Sequence, residues 1–313
     1  MSACLVCRSE VSQVFARGRD FEYLSSSRTY DIRRCQICGL LFLDDKPSQD
    51  EIPMLYSSRY YTVNPRSPLY LRGLIYRAKL KSDLKRVVEI IKTTGSASVL
   101  ECGCGNIQRL IGLRKIFEKE RLRLVGIDLQ LTREAREAAR QYDIELLEGN
   151  ADHLSDYSGL GRFDLVLMSQ ILEHLDAPEN ALATIHKHMS KNAKILIETP
   201  CPGGLDFLLF HRRFWGGYHI PRHFYIFPQR CLVRFLNKLG FKVVKTGSMP
   251  SPGFWIISFR NALGLNSIER SSSRWEFISF HNIFVVAVFT FLDLLLTSLF
   301  LRTSNQFVIA QSQ

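Results

Sequence analysis

The chain has 313 residues, enough for one large domain plus a small accessory one, and its 46% hydrophobic and 11% aromatic content is that of a globular protein with a real core. A net charge of +11 favours phosphate-bearing partners (nucleotide-linked substrates, anionic lipid heads or nucleic acid) without choosing among them. The first residues, MSACLVCRSE, hold no apolar run able to act as a signal-peptide core, so the expectation is a cytoplasmic chain with reduced thiols, which argues against a disulfide framework for its eight cysteines.

Residues 1–45 carry two CxxC pairs, Cys4 and Cys7 in CLVC, Cys35 and Cys38 in CQIC. Each pair bends a turn so that both thiolates face one ion, and two such knuckles close a tetrahedral site. The spacing predicts a small zinc ribbon whose metal, enclosed by four thiolates, is structural; buried free thiols or redox pairs are the competing reading. Arg17, Arg19, Arg33 and Arg34 are scattered among acids, a weak phosphate footprint that disfavours nucleic acid. Residues 46–92 are a connector, YSSRYYTVNPRSP, and a basic helical stretch, LYLRGLIYRAKLKSDLKRVVEIIK. Tyr60 and Tyr61 in the connector either lid a ligand or pack on the core.

From about 93 to 250, short apolar strands alternate with helical patterns, the signature of βαβ units and a parallel sheet. The predicted strands are 97–103, 123–128, 144–149, 163–169, 193–199 and 241–247, most of them rich in Val, Ile and Leu as buried parallel strands are. TREAREAARQY reads as a helix, and LVRFLNKLGF ends another at Gly240.

The sharpest motif is VLECGCGN at 99–106, a buried strand breaking into a Gly-rich turn. Gly103 and Gly105 let the backbone approach a ligand, and Glu101 can accept from its amino group. The second strand ends in VGIDLQ, where Asp128, followed by Leu129, stands where a Rossmann-type site holds ribose hydroxyls. E-x-G-x-G followed by a strand ending in Asp resembles the first two motifs of class I S-adenosylmethionine-dependent methyltransferases. Ile107 stands where the commonest form of that motif has a third glycine, which implies a less tightly wound turn. The resemblance further implies that Asn150 and Ala151, in EGNADHL, meet the adenine, and that Ser169 and Gln170, in FDLVLMSQILEHL, line the methionine end. The N-terminal module with its following GLLFLDDKPSQDEIPMLYSSRYY is similar to the zinc-binding portion of bacterial methyltransferases acting on sugars and related envelope metabolites. The remaining cysteines, 102, 104, 201 and 231, are expected to be buried.

Removing a proton from an oxygen or nitrogen acceptor suits histidine. His174 follows the fourth strand, while His219 and His223 lie in WGGYHIPRHFYIF after the fifth, in a form that resembles a recurrent loop of this methyltransferase group. These are the candidate general bases, with a structural role for each as the alternative; Arg222 and the Arg212–Arg213 pair are candidates to grip an anionic acceptor. Residues 254–302 are an apolar helical insertion, in which 16 of the 22 residues from Phe280 to Leu301 are apolar. Asp293 inside that run disfavours a full membrane span, and a hairpin at the membrane surface, with Arg260, Arg270, Arg274 and Arg302 meeting phosphates, is expected instead. The competing reading is a helix buried on the sheet or in a homodimer interface. NQFVIAQ, 305–311, is the last strand.

The fold expected is α/β: a doubly wound, seven-stranded, Rossmann-like methyltransferase sheet over 93–253 and 303–313, in which the last strand lies antiparallel beside the sixth. The resemblance implies methyl transfer from S-adenosylmethionine; the acceptor expected is a small-molecule sugar or lipid-linked envelope compound, methylated at oxygen, and the apolar insertion of a cytoplasmic chain leads to the expectation of a protein peripheral on the cytoplasmic face of the inner membrane. Competing functions are quinone or secondary metabolism, RNA or protein methylation with the ribbon as reader, and a non-catalytic cofactor-binding scaffold.

Overall fold

The computed structural model describes residues 3–48, 50–55, 70–151, 154, 157, 159–265, 277–280, 282–299 and 301–313. Tyr60, Tyr61, Arg270 and Arg274 lie outside the described residues. The chain divides into two compact units, the first Met1–Arg72, Thr199–Phe235 and Thr246–Phe307, the second Gly73–Glu198, Leu236–Lys245 and Val308–Gln313.

In the first unit, β1 (Ser12–Arg19), β2 (Thr29–Cys35) and β3 (Leu41–Leu43) form an antiparallel sheet. Along β2 the side chains alternate, with Tyr30 and Ile32 inward and their neighbours outward, as a half-buried strand requires. A single sheet of three strands has a face to cover before it can be stable. Their inner face is completed from far along the chain, where Phe207, Trp215, Tyr218, Ile220, Phe224 and Ile226 join Ala16, Tyr30, Ile32, Leu41 and Leu43 in one core. A two-residue strand from that region, β9 (Tyr225–Ile226), pairs antiparallel with β3. Residues 199–235 therefore fall with the cysteine-bearing module by contact, although the sequence pattern grouped them with the parallel sheet.

Among the described residues, α1 (Ile52–Leu55), α6 (Leu205–Phe210), α8 (Pro252–Leu263) and α9 (Ile283–Ser298) lie wholly in this unit. The apolar run of the sequence becomes α9, whose 16 residues span roughly 24 Å, short of the about 30 Å of a bilayer core. Among the described residues no helix is long and apolar enough to cross a membrane. Asp293, the acid in that run, is buried; it accepts from the backbone N–H of Ser251 at 2.6 Å and from Nε1 of Trp255 at 2.9 Å, so it joins α9 to α8. Burial still raises its carboxyl above the usual range. Arg260 is likewise engaged within the unit, donating to the carbonyl of Ile278.

The second unit centres on a sheet of order β10-β11-β8-β7-β4-β5-β6. Its strands are β4 (Ser98–Cys102), β5 (Arg123–Asp128), β6 (Glu145–Glu148), β7 (Phe163–Ser169), β8 (Met189–Pro200), β10 (Phe241–Met249) and β11 (Asn305–Ser312). β4 pairs parallel with β5 and β7, β5 with β6, and β7 with β8. β11 is inserted between β8 and β10. Between β5 and β6 runs α4 (Arg133–Gln141), capped by Thr132, whose hydroxyl accepts from Ala135 N–H at 3.1 Å. α2 (Tyr70–Thr94) precedes β4 and α5 (Pro178–Lys187) precedes β8; α7 (Gln229–Lys238) closes before Gly240 at φ +85°. Because the chain leaves β4 to one side for β5 and β6 and returns to the other for β7 and β8, the order reverses at β4. In such sheets the crevice at the carboxyl ends beside that reversal is where ligands sit.

Candidate functional site

β4 ends at that point and turns through Gly103 (φ +71°) and Gly105 (φ +50°) into α3 (Gln108–Arg114). A Cβ on Gly103 would stand 2.0 Å from Cδ1 of Ile171, so only glycine closes this turn against the segment after β7. Around Gly105 a Cβ would meet nothing within 4 Å, so the turn has open space beside it. The N–H of Gly105 donates to Oδ2 of Asp128 at 2.8 Å, which ties the turn to the end of β5. The other oxygen of Asp128 accepts from Gln130 N–H at 3.2 Å, and Leu129 between them is exposed.

Ile107 corrects the expectation of a looser turn. It keeps the left-handed backbone of a glycine position, φ 54° and ψ 15°, and is fully buried. A β-branched residue there is strained by roughly 1–2 kcal/mol. Losing a buried aliphatic side chain costs about 2–5 kcal/mol. Ile107→Gly is therefore expected to lower stability by a net of up to roughly 4 kcal/mol in a denaturant titration, and a variant more stable than the wild type would show that strain outweighs packing here.

Glu101, one residue before the end of β4, is buried. Its Oε1 lies 3.1 Å from Nη1 of Arg109, and its Oε2 has no hydrogen-bond partner among the described residues. Burial pushes this carboxyl up to about 7; Arg109 opposes the rise, and Glu198, Asp128 and Asp83 add to it. Nη1 of Arg109 also donates to the hydroxyl of Ser169 at 2.8 Å, and that hydroxyl donates to Oε2 of Glu198. The second oxygen of Glu198 is 2.5 Å from Nη1 of Arg86. The ends of β4, β7 and β8 thus share one network of two glutamates, two arginines and a serine.

Of these five, only Glu101 and Ser169 are marked by the sequence motifs. Arg86 and Arg109 sit in helices whose charges look like solvated faces; Glu198, an acid inside the apolar run ILIETP of β8, was the visible signal. Gln170 takes φ +56° and donates its N–H to the carbonyl of Glu198 at 2.7 Å. Asn150 and the buried Ala151 follow β6, and Gly149 N–H donates to the carbonyl of Asp128 at 2.8 Å. His174 closes a short 3₁₀ turn, Leu172–His174, after β7.

In the first unit the four cysteines converge. Their sulfurs all lie within 4.8 Å of one another, with Cys4 and Cys38 at 3.5 Å and Cys7 and Cys35 at 3.4 Å. The thiol of Cys38 and burial push Cys4 up to about 12, so four thiolates can coexist here only around a cation. Cys102, Cys104, Cys201 and Cys231 are buried as expected, and Cys231 is near enough to the Cys38 thiol to push it up, a neighbour that nothing in the spacing announced.

His219 and His223 lie together in this unit, ring centroids 4.9 Å apart, and the third candidate, His174, falls in the second unit. Nδ1 of His219 is 2.9 Å from Oε1 of Glu22, and Nδ1 of His223 is 2.9 Å from the carbonyl of Gly217. Carboxylate and carbonyl oxygens only accept, so each Nδ1 carries a proton and each neutral ring has Nε2 as its basic nitrogen. His219 holds a left-handed backbone, φ 40°, and non-glycine strain of this kind concentrates at functional sites. Arg222 is not available to grip an acceptor. It is wholly buried, 3.1 Å from Oδ2 of Asp20, and also donates to Ser25 Oγ and to the carbonyl of Leu55. Burial raises Asp20, but Arg222, the Ser25 hydroxyl and Tyr23 N–H outweigh it and hold the carboxyl below its usual range. Such a pair locks the loop to the β-module. Arg212 and Arg213 remain exposed.

A family model described as a methyltransferase domain matches residues 73–246, more than half of the chain. The chain belongs to this methyltransferase family. Among solved structures, it is similar to a putative sarcosine dimethylglycine methyltransferase from Galdieria sulphuraria, at 13% identity and a TM-score of 0.52, over 76% of this chain and 88% of that one. It also matches a SAM-dependent methyltransferase from Archaeoglobus fulgidus (20% identity, TM-score 0.47, 77% and 94% covered). A third match is the 1,6-didemethyltoxoflavin-N1-methyltransferase of Burkholderia thailandensis (14%, 0.49, 93% and 98%). At these identities the likeness is one of fold. A search of the curated proteins finds no match.

Proposed function

We propose that this methyltransferase takes its methyl group from S-adenosylmethionine and transfers it to an oxygen of a sugar or lipid-linked cell-envelope acceptor, with one structural zinc held by Cys4, Cys7, Cys35 and Cys38. The observation that carries the donor assignment is Oε2 of Glu101, a buried carboxylate oxygen without a partner beside the open glycine turn. An ammonium group there satisfies that oxygen and offsets the desolvation of the carboxylate. The methionine end of the donor carries such a group; Asp128 suits its ribose hydroxyls, and Asn150 with the Ala151 N–H suits its adenine. S-adenosylmethionine supplies a methyl already activated on sulfur, so the chain has to align the acceptor and take up its proton. For zinc, a tetrahedral shell at about 2.3 Å from the metal sets sulfurs roughly 3.8 Å apart, close to the spacing of the cluster. The acceptor class is supported by the likeness of the N-terminal module to that of sugar-modifying methyltransferases and by the net charge of +11, which suits phosphate-bearing acceptors.

Calorimetry on the intact protein tests the donor. S-adenosylmethionine is expected to bind and NAD is not; the reverse result would falsify the proposal. The binding form of Glu101 is ionised, so affinity is expected to rise about tenfold per pH unit up to about 7 and then level off. Without the donor the sign inverts. The folded state keeps the Glu101 proton between pH 4.5 and about 7, so stability falls as pH rises through that window. Glu101→Gln is expected to flatten both profiles and to weaken donor binding by roughly 10–100-fold, the value of a charge-assisted hydrogen bond.

A further inference from the structure

α6 and α9 each contain a single charged residue, an acid, and each turns it inward. Asp206 of α6 is 1% exposed and accepts from Nε1 of Trp215 at 2.9 Å and from the hydroxyl of Ser304. Asp293 of α9 is equally buried against Ser251 and Trp255. What the two helices leave outside is apolar. On α9, Phe284, Val288, Phe291 and Leu295 follow one another at spacings of four, three and four, so they line one helical stripe, and the first three are 76%, 62% and 69% exposed. On α6, Leu208 and Leu209 are exposed. α8 holds the two together through aromatic contacts, its Phe259 lying 5.0 Å from Phe210 and 5.7 Å from Phe289. Beside α9 is a cleft of about 290 Å³ lined, among the described residues, only by apolar side chains, among them Phe259, Phe277, Phe284 and Val288.

Charge selects the occupant. Of the three acids after residue 250, Asp293 is buried and Glu269 and Glu276 lie outside the described residues, while Arg302 directly after α9 and Arg212 and Arg213 directly after α6 are exposed. A second copy docked face to face would set arginine against arginine with no exposed acid of either helix to answer it. An anionic lipid surface answers both features, because its headgroup phosphates match the arginines and its acyl boundary matches the phenylalanines and leucines. We propose that the α6–α9 face docks on an anionic membrane surface without crossing it, with hydrocarbon chains entering the apolar cleft.

The test is flotation of the intact protein with two kinds of vesicle, phosphatidylcholine alone and an equimolar mixture of phosphatidylcholine and phosphatidylglycerol. Strong flotation with the mixed vesicles and little with the neutral ones is expected. Phe284→Ser combined with Phe291→Ser should lower binding at least tenfold at an unchanged melting temperature, since both side chains lie outside the core. Arg212→Gln, Arg213→Gln and Arg302→Gln together should abolish the preference for the anionic vesicles. A protein that floats with neither vesicle overturns the proposal, as does a dimer in solution that the two serine substitutions convert to a monomer. Equal flotation with both vesicles overturns the anionic assignment. No methyl donor enters the experiment, so its failure leaves the donor and acceptor reading untouched.

Discussion

Cys35→Ser is expected to abolish metal binding at the four-cysteine cluster and to melt at least about 10 °C below the wild type. Cys35 is the last residue of β2 and is buried; its N–H donates to the carbonyl of Leu40 at 2.9 Å and its carbonyl accepts from Gly39 N–H at 3.0 Å. The knuckle is therefore continuous with the strand that supplies Tyr30 and Ile32 to the shared core. Structural zinc sites carry roughly 10–16 kcal/mol of apparent binding energy, against a whole-protein stability of about 5–15 kcal/mol, so even partial loss is large. Metal analysis should find one zinc per wild-type chain, and a chelator should bring the wild type down to the variant's melting temperature. Acid is expected to act in the same direction, with zinc lost as pH falls, because protons compete for sulfurs whose thiols are already pushed up. Wild-type protein that purifies without metal and melts with the variant would return the cysteines to a packing role.

The second large effect concerns turnover. Alanine at both His219 and His223 is expected to cut methyl transfer by about 10²–10⁴-fold while donor affinity stays within about twofold. Each ring is held at Nδ1 by an oxygen that can only accept, which leaves Nε2 as the proton-accepting nitrogen. Glu22 does for His219 what an orienting carboxylate does for a general base, so Glu22→Gln should lower turnover while donor affinity is kept. The measurement is transfer of labelled methyl from S-adenosylmethionine into the envelope fraction of cells that lack the protein. Unchanged turnover in the double variant would assign both histidines to bracing the loop.

Much of the fold was legible because its signals are local. Buried parallel strands are apolar on both faces, so 123–128 and 163–169 were readable to the residue, and the Gly-rich turn after β4 marked the strand end at which a ligand could sit. The paired CxxC spacing likewise announced the convergence of four cysteines across 27 intervening residues. Glu101 and Asp128 were visible because an acid at the end of an apolar strand needs a reason to be there.

Tertiary structure alone decided the rest. Nothing in the period of residues 199–235 says that they complete the core of a sheet formed by residues 12–43; a short strand accepts any apolar surface that covers it, and the partner is chosen by the whole chain. The same holds for charges. In sequence, Arg222 is one more cation beside two histidines, and Asp293 is a flaw in an apolar run. Once folded, Arg222 answers the buried Asp20 and Asp293 is tied to Trp255 and Ser251. A buried charge must find a partner, and that partner's position is set by packing rather than by spacing along the chain.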